Sequence, residues 1–195
     1  MKILKKVLLV VAIIIAIPLL SALFMKKDYT VEREITINKP RADVYNYLKY
    51  LKNQDNFSVW AKMDPAMKKD YRGTDGSVGF VSLWDSENEH VGKGEQEIKD
   101  MKENESIDYE LRFKKPFEST AAANMQMASL GDAQTQVKWG FSGSMPYPMN
   151  FMMPFMNMDK MLGKDLETGL ENLKSNIESQ PAATMPADTT RATQM

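Results

Sequence analysis

Residues 155–179 read FMNMDKMLGKDLETGLENLKSNIES. Apolar side chains recur in this segment every three or four residues, which is the spacing of one face of an α-helix. They are Met158, Met161, Leu162, Leu166, Leu170, Leu173 and Ile177. Asn157 or Asp159 is a suitable N-cap, and Gln180-Pro181 stops the helix. The pattern predicts a long amphipathic helix whose apolar face covers a core.

The sequence upstream of this helix alternates between apolar and polar residues, as half-buried β-strands do. The clearest alternation is at Tyr29–Ile37, after which a helix opens behind Pro40 and a turn is predicted at Tyr71–Gly73. Further strands are predicted at Val78–Trp84, Val91–Met101, Ser106–Phe113, Ser119–Leu130 and Thr135–Gly143. Short polar links join most of these strands, which indicates antiparallel hairpins. Helices segregated from an antiparallel sheet predict an α+β domain.

The N-terminal segment carries a long run without charged residues. Lys2, Lys5 and Lys6 precede this run, Val7–Met25. A helix of that length spans about 28 Å, close to the roughly 30 Å hydrocarbon layer of a bilayer. We therefore expect residues 1–28 to be an uncleaved transmembrane anchor that contacts lipid through residues 3–25. A cleaved signal peptide and a buried soluble helix are the alternatives, but the run exceeds the roughly 7–15 apolar residues of a signal peptide.

The charges that flank the run predict its orientation. The amino terminus and three lysines precede it, whereas Lys26, Lys27 and Asp28 leave one net positive charge after it. The positive-inside bias then places the N-terminus in the cytoplasm and the domain on the periplasmic or extracellular side. Residues 1–28 carry +4, so the chain's net charge of -1 leaves -5 on the remainder. An acidic domain is a poor binder of nucleic acid.

The rest of the composition is that of a globular domain of about 150 residues. Hydrophobic residues make up 43% of the chain, enough for a sizeable core, and cysteine is absent. The absence of cysteine excludes disulfides, thiol catalysis and cysteine-based zinc sites. We assign residues 29–179 to one domain and residues 180–195, which lack an apolar face, to a disordered tail.

Four pieces of sequence follow one another between Tyr29 and Ser179. A strand leads into a helix at Ile35–Tyr45, and an aromatic stretch at Phe57–Trp60 precedes Asp64-Pro65. A series of glycines with one tryptophan comes next: Gly73, Gly76, Gly79, Trp84, Gly92 and Gly94. The last piece is GKDLETGLENLK at 163–174. In this order the pieces resemble the SRPBCC superfamily, the START-like helix-grip proteins, and within it the polyketide cyclase/dehydrase-type branch.

The resemblance implies a helix-grip fold: a seven-stranded antiparallel sheet wrapped around the C-terminal helix, with a hydrophobic cavity between them. Members bind lipids, sterols, polyketides or plant hormones, and a few are cyclases or hydrolases. The resemblance transfers no catalytic residue to this chain and implies no cofactor. The chain departs from the simplest members in its membrane segment and in a methionine-rich approach to the last helix.

That approach contains seven methionines, which are Met145, Met149, Met152, Met153, Met156, Met158 and Met161. Methionine is a flexible filler of adaptable apolar surfaces, so we predict a mobile lid over the cavity mouth. Ordinary core packing is one alternative. A Cu(I) site is another, because thioethers are soft ligands, although no histidine or cysteine lies beside them.

Other signals for catalysis or metal binding are weak. His90 is the single histidine and falls in a polar turn, where we expect an exposed side chain and neither a metal ligand nor a general base. The carboxylates of Glu95, Glu97, Asp108 and Glu110 alternate with apolar neighbours, which places them on the outer face of the sheet. Neither a Gly-x-Ser-x-Gly elbow nor a Walker loop is present.

Strand alternation places the other set of side chains on the concave face, where a ligand would lie. Arg33, on the apolar face of the first strand, and two methionines of the lid complete this set. The predicted ligand-binding residues are Phe80, Trp84, Tyr109, Leu111, Phe113, Met125, Met127, Trp139, Phe141, Met152, Met156 and Arg33. Tyr109, Gln96 and Arg33 are the polar groups that would orient a ligand. A filled core is the alternative to a cavity, and a side chain reaching solvent is the alternative for Arg33.

Three functions follow from these observations. The first is a membrane-anchored, non-enzymatic domain that binds a hydrophobic small molecule or lipid in the cavity. The second is a cyclase- or hydratase-like enzyme that uses Tyr109 or Arg33. The third is an interaction module with a filled core that regulates a protein partner in the membrane.

Overall fold

The computed structural model describes residues 2–180, so the tail predicted at 180–195 lies almost entirely outside the described residues. In chain order the helices and strands are α1 (Lys2–Ala22), β1 (Asp28–Ile37), α2 (Arg41–Leu48), α3 (Val59–Met63), β2 (Lys68–Arg72), β3 (Val81–Asp85), β4 (Lys93–Lys102), β5 (Ser106–Lys115), β6 (Ser119–Gly131), β7 (Gln134–Ser144) and α4 (Met158–Glu178). Two 3₁₀ helices, Leu51–Asn56 and Met149–Phe155, precede α3 and α4 respectively.

The strands form one antiparallel sheet in the order β1-β7-β6-β5-β4-β3-β2. This confirms the seven-stranded α+β architecture and the hairpins predicted from the short links. The turn predicted at Tyr71–Gly73 is wrong in part, because Lys68–Arg72 is a strand that pairs with β3. Four of its five residues are charged, so no apolar alternation marks it. Of its residues only Tyr71 is even partly buried, so neither face of this strand has the continuous apolar set that produces alternation.

Helix α4 packs its apolar face against the sheet, as its periodicity predicted. Leu166, Leu170, Leu173 and Ile177 are buried there, and burial of one such side chain contributes roughly 1.5–3 kcal/mol. The side chain of Asn157 accepts a hydrogen bond from the Lys160 backbone N–H at 2.9 Å, which confirms one of the two predicted caps. The helix therefore begins three residues later than predicted.

One end of the sheet lies beside the point where α1 joins the domain, and we call it the junction end. Strand β1 begins there. The residue pairs that mark this end on successive strands are Asp28–Ser144, Ala121–Gly143, Phe113–Ser119, Gly94–Phe113 and Trp84–Gly94. At the opposite, distal end lie the end of β1 and the β6–β7 turn. Helix α4 runs from the middle of β1, where Asp159 contacts Arg33, toward the distal end, where the Asn38 backbone N–H donates to Glu178.

Helix α1 presents its apolar side chains to the outside along most of its length. Its segment Ile3–Ala22 is long and apolar enough to cross a membrane, a criterion that a signal sequence near the N-terminus also meets. Twenty helical residues span about 30 Å. The described residues thus comprise one apolar helix followed by one α+β domain.

Candidate functional site

A cavity of about 310 Å³ lies between the concave face of the sheet and the short helices that cross it. Strands β3 to β7 contribute one wall. The 3₁₀ helix Leu51–Asn56, helix α3 and Leu162 of α4 contribute the other. Because Trp84 and Phe113 belong to the junction end of the sheet, the cavity lies toward the end where α1 joins the domain.

Aromatic side chains form much of the cavity wall. The rings of Trp84 and Phe113 meet edge to face at 5.9 Å between centroids, and those of Trp60 and Trp139 do so at 6.1 Å. The Trp84 indole N–H donates to the Val91 carbonyl at 3.2 Å, which fixes the orientation of that ring. Edge-to-face pairs are favourable arrangements of aromatic quadrupoles, so this wall is apolar and pre-organised.

A few polar groups interrupt the apolar wall. Gln96 is buried on β4, between Ser82 of β3 and Leu111 of β5. Among the described residues, no side chain or backbone group forms a hydrogen bond with the Gln96 amide or with the hydroxyls of Ser82 and Ser58. Gln96 and Ser58 are buried residues and Ser82 is half-buried, and buried polar groups normally have partners. These three groups are therefore available to a bound molecule.

Charged and titratable residues of a 3₁₀ helix, of strand β2 and of the turn before β4 also line the cavity. Asp55 and Lys69 line it and form an ion pair at 2.7 Å. His90 borders the cavity from the turn that precedes β4, a position that the sequence analysis did not predict, and its side chain is exposed, as expected. Ser86 holds this turn beside the end of α3, because its hydroxyl accepts a hydrogen bond from the Asn88 backbone N–H and donates one to Asp64 at 2.5 Å.

The structure brings together five of the predicted ligand-binding residues, which are Trp84, Leu111, Phe113, Trp139 and Phe141. Gln96 joins them. Leu51, Gln54, Trp60 and Leu162 were not predicted, because they lie outside the strands whose alternation was used. The aromatic stretch that includes Trp60 was noted only as part of the family resemblance, and it was the one signal in the sequence for this wall.

Four other predicted residues lie in the filled part of the core, outside the cavity lining. They are Phe80, Tyr109, Met125 and Met127. Helices α2 and α4 cover this region of the concave face, so correct alternation does not leave open space there. Burial raises the pKa of the Tyr109 phenol above its ordinary value, so the side chain stays neutral and is a poor base.

Arg33 lies on the concave face but is held away from the cavity. Its guanidinium binds both carboxylate oxygens of Asp159, at 2.9 and 3.0 Å, and its own neighbour's carbonyl at 2.7 Å. The hydrogen bond from Arg33 lowers the pKa of Asp159. Neither Arg33 nor Tyr109 therefore faces the cavity, where the enzyme hypothesis required them.

The methionine-rich approach does not line the cavity either. Met152 and Met156 are absent from its lining, and the 3₁₀ helix Met149–Phe155 packs beside the end of α1 instead. Buried Asn150 of this helix donates to the carbonyl of Ala22 at 2.6 Å and to that of Met25 at 3.2 Å. The predicted lid is thus a contact between the domain and its N-terminal helix. The copper alternative stays a hypothesis.

The sequence matches no protein-family model and no curated protein. Solved structures are similar in fold. Norcoclaurine synthase from Thalictrum flavum, in complex with dopamine and hydroxybenzaldehyde, superposes with a TM-score of 0.60 at 8% identity, over 83% of this chain and 93% of that one. A protein from Nitrosospira multiformis gives 0.55 at 19% identity, over 77% and 97%. The Aha1 dimer from Colwellia psychrerythraea gives 0.53 at 14%, over 77% and 97%.

These similarities cover the described domain and almost the whole of each neighbour. They agree with the strand order, the segregated helices and the long C-terminal helix observed here. Identities this low show a common fold and do not transfer an activity. The chain has the helix-grip fold of the SRPBCC proteins that its sequence resembles.

Proposed function

We propose that this protein is a membrane-anchored SRPBCC-type domain that binds a small, largely apolar molecule in its cavity. The observation that carries the proposal is the aromatic cavity with Gln96 and Ser82 unpaired in its wall. Small-molecule sites are mostly apolar and contain a few polar groups that orient the ligand. The Gln96 amide offers both a donor and an acceptor.

The size of the cavity restricts the ligand. Its volume of about 310 Å³ is at the lower end of the roughly 300–1,000 Å³ range of ligand pockets. This favours a compact molecule with one or a few rings over a lipid with two acyl chains. The complex of norcoclaurine synthase with dopamine and hydroxybenzaldehyde supports this class, because it shows the same fold holding small aromatic molecules.

The anchor is helix α1, inserted through residues 3–25 and not cleaved. Three lysines and the amino terminus precede the apolar run, and we therefore orient the N-terminus toward the cytoplasm and the domain toward the periplasmic or extracellular side. The hydrogen bonds from Asn150 to Ala22 and Met25 support an uncleaved helix. These hydrogen bonds attach the end of α1 to the domain, and a signal peptide that is removed by cleavage would not require such an attachment.

Native mass spectrometry of the full chain, extracted with its surrounding lipids in polymer nanodiscs, tests ligand binding. We expect a reproducible small-molecule mass that dissociates on denaturation. Ala61 lines the cavity, and Ala61→Trp fills part of it, so the bound mass should be lost. Ala66→Trp is the matched control, because exposed Ala66 lies outside the cavity lining and should retain the mass.

Two outcomes would contradict the proposal. One is a wild-type protein without any bound small molecule in repeated preparations. The other is an unchanged bound mass in a folded Ala61→Trp variant, since the molecule would then bind elsewhere. A stoichiometric protein partner in place of a small molecule would instead support the interaction module.

A further inference from the structure

The junction between α1 and the domain is built from specific hydrogen bonds. The last carbonyl groups of a helix have no partner within the helix. Asn150 donates to the carbonyl of Ala22, the last residue of α1, and to that of Met25 in the segment that follows. The Met145 backbone N–H donates to the Lys27 carbonyl at 2.8 Å. The 3₁₀ helix Met149–Phe155 is therefore held at the level where α1 ends.

This 3₁₀ helix exposes an apolar stripe. Side chains three residues apart lie above one another in a 3₁₀ helix, and Met149, Met152 and Phe155 have that spacing. Their exposed fractions are 51%, 46% and 76%. Contiguous exposed apolar surface of this kind is typical of a contact surface.

A second apolar group lies at the same end of the sheet. Phe117 is at the tip of the β5–β6 hairpin and is 77% exposed. The pairings Phe113–Ser119 and Ala121–Gly143 place this hairpin at the junction end, beside the start of β1. Lys115 precedes the tip, and Lys26 and Lys27 follow the apolar run of α1. Lysines next to exposed aromatic and apolar residues are typical of membrane interfaces.

We propose that the junction end of the domain lies on the lipid surface, with Met149, Met152, Phe155 and Phe117 inserted among the headgroups and the first acyl carbons. The occupant of this surface is the bilayer itself, because the stripe lies on the 3₁₀ helix that packs beside the end of the helix that we propose to span it. The inference rests on the proposed transmembrane role of α1.

This arrangement also places the cavity near the membrane, since Trp84 and Phe113 lie at the same end of the sheet. A hydrophobic ligand would then enter from the membrane and not from water.

Site-directed spin labelling tests this arrangement, and the absence of cysteine makes each introduced label unique. Single variants Phe117→Cys and Phe155→Cys of the full chain are labelled and reconstituted into vesicles of phosphatidylcholine and phosphatidylglycerol. Oxygen concentrates in lipid and a nickel chelate stays in water, so their relative collision rates report depth. Leu130→Cys is the matched control, since Leu130 is 53% exposed at the distal end. Ile14→Cys, within α1, checks the anchor.

We expect collisions at positions 117, 155 and 14 to be dominated by oxygen, and those at position 130 by the nickel chelate. If the labels at 117 and 155 behave like the one at 130, in protein with a native circular dichroism spectrum, the inference is overturned. A lipid-like label at 14 in the same experiment would leave the proposed anchor intact. Labels at 117 and 155 shielded from both reagents also overturn it, because they indicate a second copy or a protein partner. A water-like label at 14 overturns the anchor as well, whereas ligand binding is judged independently by mass spectrometry.

Discussion

Two glycines within α4 provide room for side chains of the sheet. Glycine in a helix interior costs roughly 1 kcal/mol relative to alanine, so its presence at 163 and 169 requires a reason. The Arg33 guanidinium lies against Gly163, where a Cβ would overlap it, and the Trp139 ring lies against Gly169. The contact between α4 and the sheet therefore depends on close approach at these two glycines as much as on the buried leucines of the same helix face.

We predict that Gly169→Ala lowers the free energy of unfolding by about 1–2 kcal/mol. The added Cβ would lie 2.7 Å from Cζ3 of Trp139, and Phe57 and Trp60 pack against that ring from two directions. Overpacking typically costs about 1–3 kcal/mol, of which the better helix propensity of alanine offsets up to about 1 kcal/mol. Denaturant unfolding of the full chain in detergent measures the difference.

The control for this substitution is Glu171→Ala, at an exposed position of the same helix. It should change stability by no more than about 0.5 kcal/mol. Equal stabilities of Gly169→Ala and the wild type would show that Trp139 can move without loss, and would remove the role assigned to this glycine.

At the scale of elements, the sequence predicted those with a clear apolar period and missed those without one. Helix α4 and six of the seven strands followed from the apolar periods, within a few residues at each end. Strand β2 was missed because all its residues except the partly buried Tyr71 are exposed, and its charged side chains therefore show no apolar period. The 3₁₀ helix Met149–Phe155 was predicted to be a lid because of its methionines. Its contact with α1 is made by Asn150, a residue that no sequence pattern singles out.

We predict that Asn150→Asp loosens the attachment of this 3₁₀ helix to α1. The substitution removes the amide donor to Ala22 and Met25 and places a carboxylate near their carbonyl oxygens in a fully buried position. A buried group left without its partner costs about 1–3 kcal/mol, and more when it is charged. Hydrogen exchange of the amides at 145–156 should accelerate at least about tenfold, because about 1.4 kcal/mol corresponds to a factor of ten.

Asn157→Asp is the matched control for this experiment. Asn157 caps α4 through its side-chain oxygen, and aspartate caps a helix about as well as asparagine. Its exchange rates should stay near those of the wild type. Unchanged protection in Asn150→Asp would mean that the attachment depends on apolar packing and not on the two hydrogen bonds.

At the scale of the whole molecule, the fold was predictable and the cavity was not. Alternation correctly identified the concave face, on which Trp84 and Tyr109 both lie. It does not show which part of that face the helices cover, and this decides that Trp84 lines open space while Tyr109 is packed. The packing of Trp60 against Trp139 depends on the path of the chain after α2, and no residue pattern in the sequence predicts that path.

The outer face of the sheet carries an ion-pair network that links stability to pH. Arg112 binds Glu95 at 2.7 Å, Glu97 at 2.8 Å, and also Glu110. Its hydrogen bonds hold the pKa values of Glu95 and Glu97 below their ordinary range. The carboxylates were correctly predicted to lie on this face, but Glu95 is buried there by its partners and not freely solvated.

We predict that acid destabilises the protein through this network. Because the folded-state pKa values are lowered, the stabilisation is complete above the unfolded glutamate pKa of about 4.3 and is lost as the pH falls through the lower folded values. The wild type should therefore melt at a lower temperature at acidic than at neutral pH, and Arg112→Gln should reduce that difference. Arg41→Gln is the control, since Arg41 forms no ion pair among the residues that the structure describes, and should melt like the wild type. The same acid sensitivity in all three proteins would contradict the assignment.

The charged strand β2 has a consequence for the membrane anchoring that we propose. In that arrangement the chains diffuse in two dimensions at a fixed height, so the exposed sheet edges of neighbouring copies would meet far more often than in free solution. An unprotected edge would then pair with the next copy and extend the sheet from one protein to another. Lys68, Lys69, Asp70 and Arg72 occupy that edge, and placing their charges opposite the same charges of a neighbour keeps crowded copies separate.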